Sequence, residues 1–270
     1  MRLRIFATAS PRLSAVTALV VLLMGTVGSA QSSNLVARLN AIRDGDIAFT
    51  FATQPGVCGR GESISLRNSF FGSVSDMRGR DWERDCTPGP ARVTIQRAGG
   101  VTTAVRIVVA PRRTGAVPAQ DWGEVSTAAA ARVLMHVAET SSGRPAQRAM
   151  LAAVLADSSP VIWPDLLRIA RNAERPRSTR QEARVWLSRI AADYAFGPEP
   201  EGYEKKGDDE KSQAVFALSQ LPDDQGVPDL ISIARTHRDF EIRRKALFWL
   251  GQSDDDRVLT VLEEFLSRKR

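Results

Sequence analysis

The chain has 270 residues, 43% of them hydrophobic and 25% charged, with a formal net charge of +6. Three of its arginines, Arg2, Arg4 and Arg12, lie in an N-terminal segment with the character of a removable leader. Without them 34 basic residues face 31 acidic ones, a net +3. So small a surplus, with no clustered basic face, argues against a nucleic-acid binder.

Residues 1–30 read as a secretory signal. A basic start without acids leads into an apolar run from Leu13 to Val27, and Gly28-Ser29-Ala30 offers small residues for cleavage before Gln31. The run falls short of the roughly 20 residues that span a bilayer. The expected mature chain is exported, to the periplasm or the medium, without a membrane span.

A short helix is predicted from Ser32, ending near Gly45. From Asp46, DIAFTFAT alternates Ile47, Phe49 and Phe51 with smaller residues, the period of a strand with one buried face. Val93 and Ile95 continue the pattern, as do Val101, Thr103, Val105, Ile107 and Val109. Gly99-Gly100 between the two runs suits a hairpin. The two cysteines, Cys58 and Cys86, are 28 positions apart. An even count in an exported chain reads as a disulfide, and no CxxC spacing or nearby histidine suggests a metal. The bridge would tether a long connection from Gln54 to Pro90. Phe70, Phe71 and Trp82 in that connection suit either a small core beside the disulfide or a recognition surface. Residues 31–118 are thus expected to form a small disulfide-linked antiparallel β module.

Beyond Pro111 and Pro118 the period changes from strand to helix. Ala130, Val133, Leu134 and Val137 share one helical face, and QRAMLAAVLADS supplies a partner helix. His136, with no second ligand at i+3 or i+4, reads as a structural histidine. Further helices are expected over 161–172 and 178–192, with Pro164 and Pro228 in first turns, where a missing N–H costs nothing. Asp223, Asp224 and the run Asp254-Asp255-Asp256 sit where helix caps are needed.

One helical phrase recurs. QAVFALSQ from Gln213 and KALFWLGQ from Lys245 are 32 residues apart, and EARVWLSR from Glu182 lies 31 residues upstream of the first. This superposes Ala183, Ala214 and Ala246. A second phrase, PDLLRIAR from Pro164, returns as PDLISIAR from Pro228. Two alternating helical phrases at a near-constant period predict a stacked array. Between Ala192 and Asp208, where a first helix should recur, Gly and Pro forbid it.

These residues resemble HEAT repeats, in the short bacterial form also found in phycobilisome lyases. The likeness rests on AxxxL preceded three positions earlier by Arg180, Lys211 or Arg243. FEIRRKALFWLGQSDDDRVLTVLEEFL is the most faithful copy, with Ile242, Arg243, Ala246, Leu250 and Gly251 at favoured positions. It covers about residues 125–268. The resemblance implies an α-solenoid of antiparallel helix pairs over 121–270, a mainly α fold preceded by the β module. It also implies protein binding rather than a reaction. The second helices would line the concave face, where Val185, Phe216 and Phe248 form the expected partner-binding column. Trp186 and Trp249, one position on, are expected in the core. Arg180, Lys211 and Arg243 are expected to bridge to acids such as Asp208 and Asp239, holding adjacent pairs in register.

The expected function is a non-enzymatic, exported interaction or scaffold protein with a protein or peptide partner. No catalytic residue, cofactor site or metal site is expected. Two other classes remain open: glycan or peptide binding by the β module with the helices as a stalk, and hydrolysis at a site assembled only in three dimensions. His136 and His237 stand beside no evident nucleophile, and no GxSxG or HExxH motif occurs.

Overall fold

The computed structural model describes residues 34–61, 63–66, 86–111, 120–156, 159–196 and 210–268. Residues 1–33, Phe70, Phe71, Trp82 and Asp208 fall outside them. The fold is mostly helical, with small β-sheets at its N-terminal end.

Helix α1 (34–41) precedes β1 (Gly45–Phe51), the alternating strand read from the sequence. β1 runs antiparallel to β5 (Ala91–Ala98), which forms a hairpin with β6 (Val101–Val109). At the tip Gly99 and Gly100 have φ of 59° and 82°, the left-handed pair that a two-residue hairpin turn demands. The sheet order is β6-β5-β1-β7, with β7 (Gln120–Glu124) parallel to β1. Ile47, Phe49 and Phe51 are fully buried as expected. So is Ala48 between them, so both faces of β1 are covered.

A second sheet joins β2 (Val57–Arg60), β3 (Ser63–Leu66) and β4 (Thr87–Pro88) in the order β3-β2-β4. The expected disulfide links Cys58 on β2 to Cys86 just before β4, with Cα atoms 5.3 Å apart. Strands thus occupy both ends of what reads in sequence as one long connection.

The helices follow: α2 (Thr127–Thr140), α3 (Gly143–Leu155), α4 (Ser159–Arg171), α5 (Arg177–Phe196), α6 (Glu210–Ser219), α7 (Val227–Thr236), α8 (Phe240–Gln252) and α9 (Asp256–Ser267). Ser126 caps α2, accepting from the Ala129 amide. Pro228 lies in the first turn of α7 as expected. Pro164 does not lie in a first turn. α4 begins at Ser159 and Pro164 falls inside it, removing one rung of the hydrogen-bond ladder.

The sheet and the helices share a continuous core. α3 packs across β5 and β6. The loop after β1 docks on the end of α3, where the Gln54 amide donates to the Leu155 carbonyl at 2.9 Å and Gln54 Nε2 to that of Val154 at 3.0 Å. A division at 118–121 separates β7 from the strand it pairs with.

Among the helices, α2 packs on α3, α4 on α5, and α7 on α8. The sequence repeat predicts α6 as the layer after α5. Instead α8 docks on α5, α9 lies against α5 and α4, and α6 packs chiefly on α8 and α7. Ala183 and Ala246 are fully buried, whereas Ala214 is exposed. The expected equivalence of the three alanines therefore holds for two.

The α5–α8 crossing is a close one. A Cβ built on Gly251 would lie 2.2 Å from Ser188 Oγ and 2.4 Å from Ser188 Cβ. Ser188 and Gly251 hold the same place in the repeated phrase, five residues after Ala183 and Ala246. Small residues at matching positions let the two backbones meet in register. Arg184, only 4% exposed, completes the joint, donating to the carbonyls of Ser253 and Asp255 and to Asp256 Oδ1 at 2.9 Å. Gln181 Nε2 donates to the Gln252 carbonyl at 2.7 Å.

Candidate binding surface

The turn from α6 into α7 builds one wall of a cleft. Asp223 and Asp224 both have left-handed backbones, φ 52° and 54°, a conformation that costs a non-glycine residue about 1–3 kcal/mol. Two contacts hold it. Asp224 Oδ1 accepts from Ser253 Oγ at 2.7 Å. Gly226 fits against the end of α6, where a Cβ would sit 2.0 Å from the Leu218 carbonyl oxygen.

The cleft between this turn, α7 and α8 has a volume of about 280 Å³. Leu218, Leu221, Val227, Leu230 and Trp249 supply its apolar lining. Arg177 at the start of α5 closes one side by pairing with Asp254, with Nε 2.6 Å from the carboxylate. The Phe216 ring lies 5.1 Å from that of Trp249, and the Phe248 ring 4.9 Å from the same indole, edge-on. Phe216 is 47% exposed and Leu221 42%. Large apolar side chains so placed mark interaction sites when they flank a concavity.

Of the column expected to bind a partner, the structure brings Phe216 and Phe248 together around Trp249. Val185 is half-buried on α5, and α8 stands between that helix and α6. Trp186 is buried as expected, with the Arg189 guanidinium 5.2 Å over its ring. Trp249 is half-buried and belongs to the exposed cluster. The sequence signal for this was the Phe-Trp step of α8 facing Phe216, hidden because the chain order places α6 elsewhere.

The charged positions also differ from expectation. Arg180 donates to the Arg175 carbonyl at 2.6 Å, and Arg243 to the His237 carbonyl at 2.8 Å. In equivalent places, each ties a helix to the turn that precedes it. Asp239 caps α8, accepting from the Glu241 amide at 3.0 Å, and Lys211 is exposed. Contacts between layers come from other pairs: Arg171–Glu263 at 2.7 Å joins α4 to α9, and Arg235–Glu264 at 2.5 Å joins α7 to α9. Of the acids expected as caps, Asp255 accepts from the Arg257 amide at 2.8 Å, and the Arg257 side chain holds its carboxyl below the usual range. Asp223 and Asp224 form the left-handed turn instead, while Asp254 and Asp256 pair with Arg177 and Arg184.

His136 Nε2 lies 3.0 Å from Asn40 Oδ1, joining α2 to α1, and burial pushes its imidazole toward the neutral form. His237 Nδ1 accepts from the Asp239 amide at 3.1 Å, a role within its own turn. Glu182, beside the Trp186 indole, has its carboxyl raised by burial, with a weaker opposing pull from Trp186. Among the described residues no group of three or more His, Cys, Asp or Glu is placed to hold a metal ion. No described helix is long and apolar enough to cross a membrane.

Residues 242–268 match the family model of the PBS lyase HEAT-like repeat. The matched segment is α8 from Ile242 together with α9, and it includes Gly251 of the α5–α8 joint. HEAT-like repeats are commonly protein-interaction modules. No curated protein and no solved structure matches the chain.

Proposed function

We propose that this is a non-enzymatic, exported interaction protein whose HEAT-like helical array, a short solenoid interrupted at α6, presents the α6–α7–α8 cleft to a protein or peptide partner. The observation that carries the reading is the exposed Phe216 resting on Trp249, whose indole also lines the cleft. Aromatic side chains clustered at the surface beside a concavity are the kind of anchor that protein interfaces use. The left-handed Asp223-Asp224 turn supports the same place, since strained backbone concentrates at functional sites. Export is supported by the leader-like segment and agrees with the Cys58–Cys86 bridge, which persists in oxidising compartments.

The test is capture of partners from an envelope fraction by the wild-type chain and by a Phe216→Ala, Phe248→Ala variant. The variant should keep the thermal midpoint within a few degrees and lose at least about tenfold in partner affinity, as truncation of an interface anchor does. Undiminished capture by the folded variant would remove this face from consideration.

A further inference from the structure

We infer that α6 docks on the α6 of a second copy of this chain, in an antiparallel two-fold contact centred on Ala217. This goes beyond the reading under Proposed function: it concerns the open side of α6, not the cleft, and it names its own partner.

The phrase shared by α5, α6 and α8 sets small residues five apart: Ala183 and Ser188, Ala214 and Ser219, Ala246 and Gly251. Two of these helices use the phrase to meet. α5 and α8 pack on each other, and Gly251 there lies against Ser188. The third helix does not. α6 buries Ser212 and Val215 but leaves Ala214 and Ala217 exposed, with Leu221 just past its end. These three stand at i, i+3 and i+7, one side of a helix. At the matching positions α5 has Ala183, Trp186 and Ile190, all buried. The apolar side that α5 covers is therefore open on α6. Leu221 is 42% exposed, and with Phe216 on the flank it is among the large apolar side chains most open to solvent in the described residues.

The rest of the chain does not offer α6 a matching helix. The segment before it carries Gly197, Pro198, Pro200, Gly202 and Gly207, which forbid a helix there. The like faces of α5 and α8 are engaged with each other. A second copy brings one open face of this kind, its own α6. Two identical faces meet about a two-fold axis, so that residue i opposes j and j opposes i. Charge supports the antiparallel sense. Lys211 stands six residues before Ala217 and Asp223 six after it, and both are exposed. With Ala217 on the axis, the Lys211 ammonium of each copy faces the Asp223 carboxylate of the other, whereas a parallel contact would set like charges together. α6 has 10 residues and is about 15 Å long, so the contact is small and the association weak.

Sedimentation velocity of the purified chain from about 1 to 200 μM, at about 50 mM salt, should show a monomer–dimer equilibrium with a Kd of roughly 10–100 μM. Ala217→Glu changes an exposed helical position, so it should keep the thermal midpoint. It sets two carboxylates against each other on the axis and should weaken the dimer at least about tenfold. Lys211→Glu should weaken it about threefold, and adding Asp223→Lys should restore it. A wild-type chain still monomeric at the highest concentration overturns the inference. So does a dimer indifferent to Ala217→Glu, or one that a folded Lys211→Glu, Asp223→Lys variant fails to recover. If the left-handed backbone at Asp223 keeps that variant from folding, the Ala217→Glu result decides alone.

Discussion

Gly251 has no side chain because Ser188 occupies the space one would need. Alanine there gains about 0.5–1 kcal/mol of helix propensity in isolation. Overpacking a tight joint costs about 1–3 kcal/mol, so the clash wins. Gly251→Ala should lower stability by about 1–2 kcal/mol in urea unfolding. In a Ser188→Gly background, which removes the two nearest atoms and leaves the Arg184 carbonyl oxygen at 3.2 Å, the cost of the same change should shrink towards zero. Additive effects would mean the helices do not meet here. Glu182 gives a second test. Its folded carboxyl is raised by burial above the unfolded value, so the native state holds the proton more tightly and stability falls as pH rises between the two values. Glu182→Gln should therefore be more stable than wild type at pH 7–8. The advantage should shrink towards about pH 4, where the unfolded carboxyl is protonated as well. A pH-independent difference would contradict burial as the cause.

Caps and patterning explain most elements taken singly. Asp239 and Asp255 each cap a helix that follows a short turn; the Asp255 cap was legible because a capping acid needs only local chain geometry, whereas Asp239 reads in sequence as an acid bridging between layers. Asp239→Ala should cost about 1 kcal/mol, read as a lower urea midpoint with an unchanged slope. No change would mean that α8 is held by packing alone. β1, β5, β6 and α2 were legible for the same kind of reason: alternation and the i, i+3, i+4 stripe report a buried face whatever covers it. β7 was not. QDWGE carries a single large apolar residue, Trp122, which stacks on Phe49 at 5.8 Å, and nothing local marks the segment as a strand. The start of α4 was misplaced because a proline normally opens a helix, and here the surrounding packing tolerates one inside.

At the level of the full chain, the sheet and the helices are not separable by cutting at the change of period. β1 needs β7 on one edge, and the loop after β1 hangs from the end of α3. Residues 31–118 alone should show no cooperative thermal transition, while residues 31–156, which restore β7, α2 and α3, should show one. A sharp transition from the shorter piece would establish an independent β module. The Cys58–Cys86 bridge was legible from cysteine arithmetic, but the way its sheet rests beside β6 was not.

By itself the sequence determined the helical repeat, the strand module, the disulfide and the aromatic positions, because each is written in spacings of a few residues or in residue counts. Only the tertiary structure decided which layers touch. A repeat period says that helices are alike, not that they are neighbours: α8, not α6, packs on α5, and there Gly251 meets Ser188. That arrangement leaves Phe216 uncovered beside Trp249 and opens the cleft on which the proposed function rests.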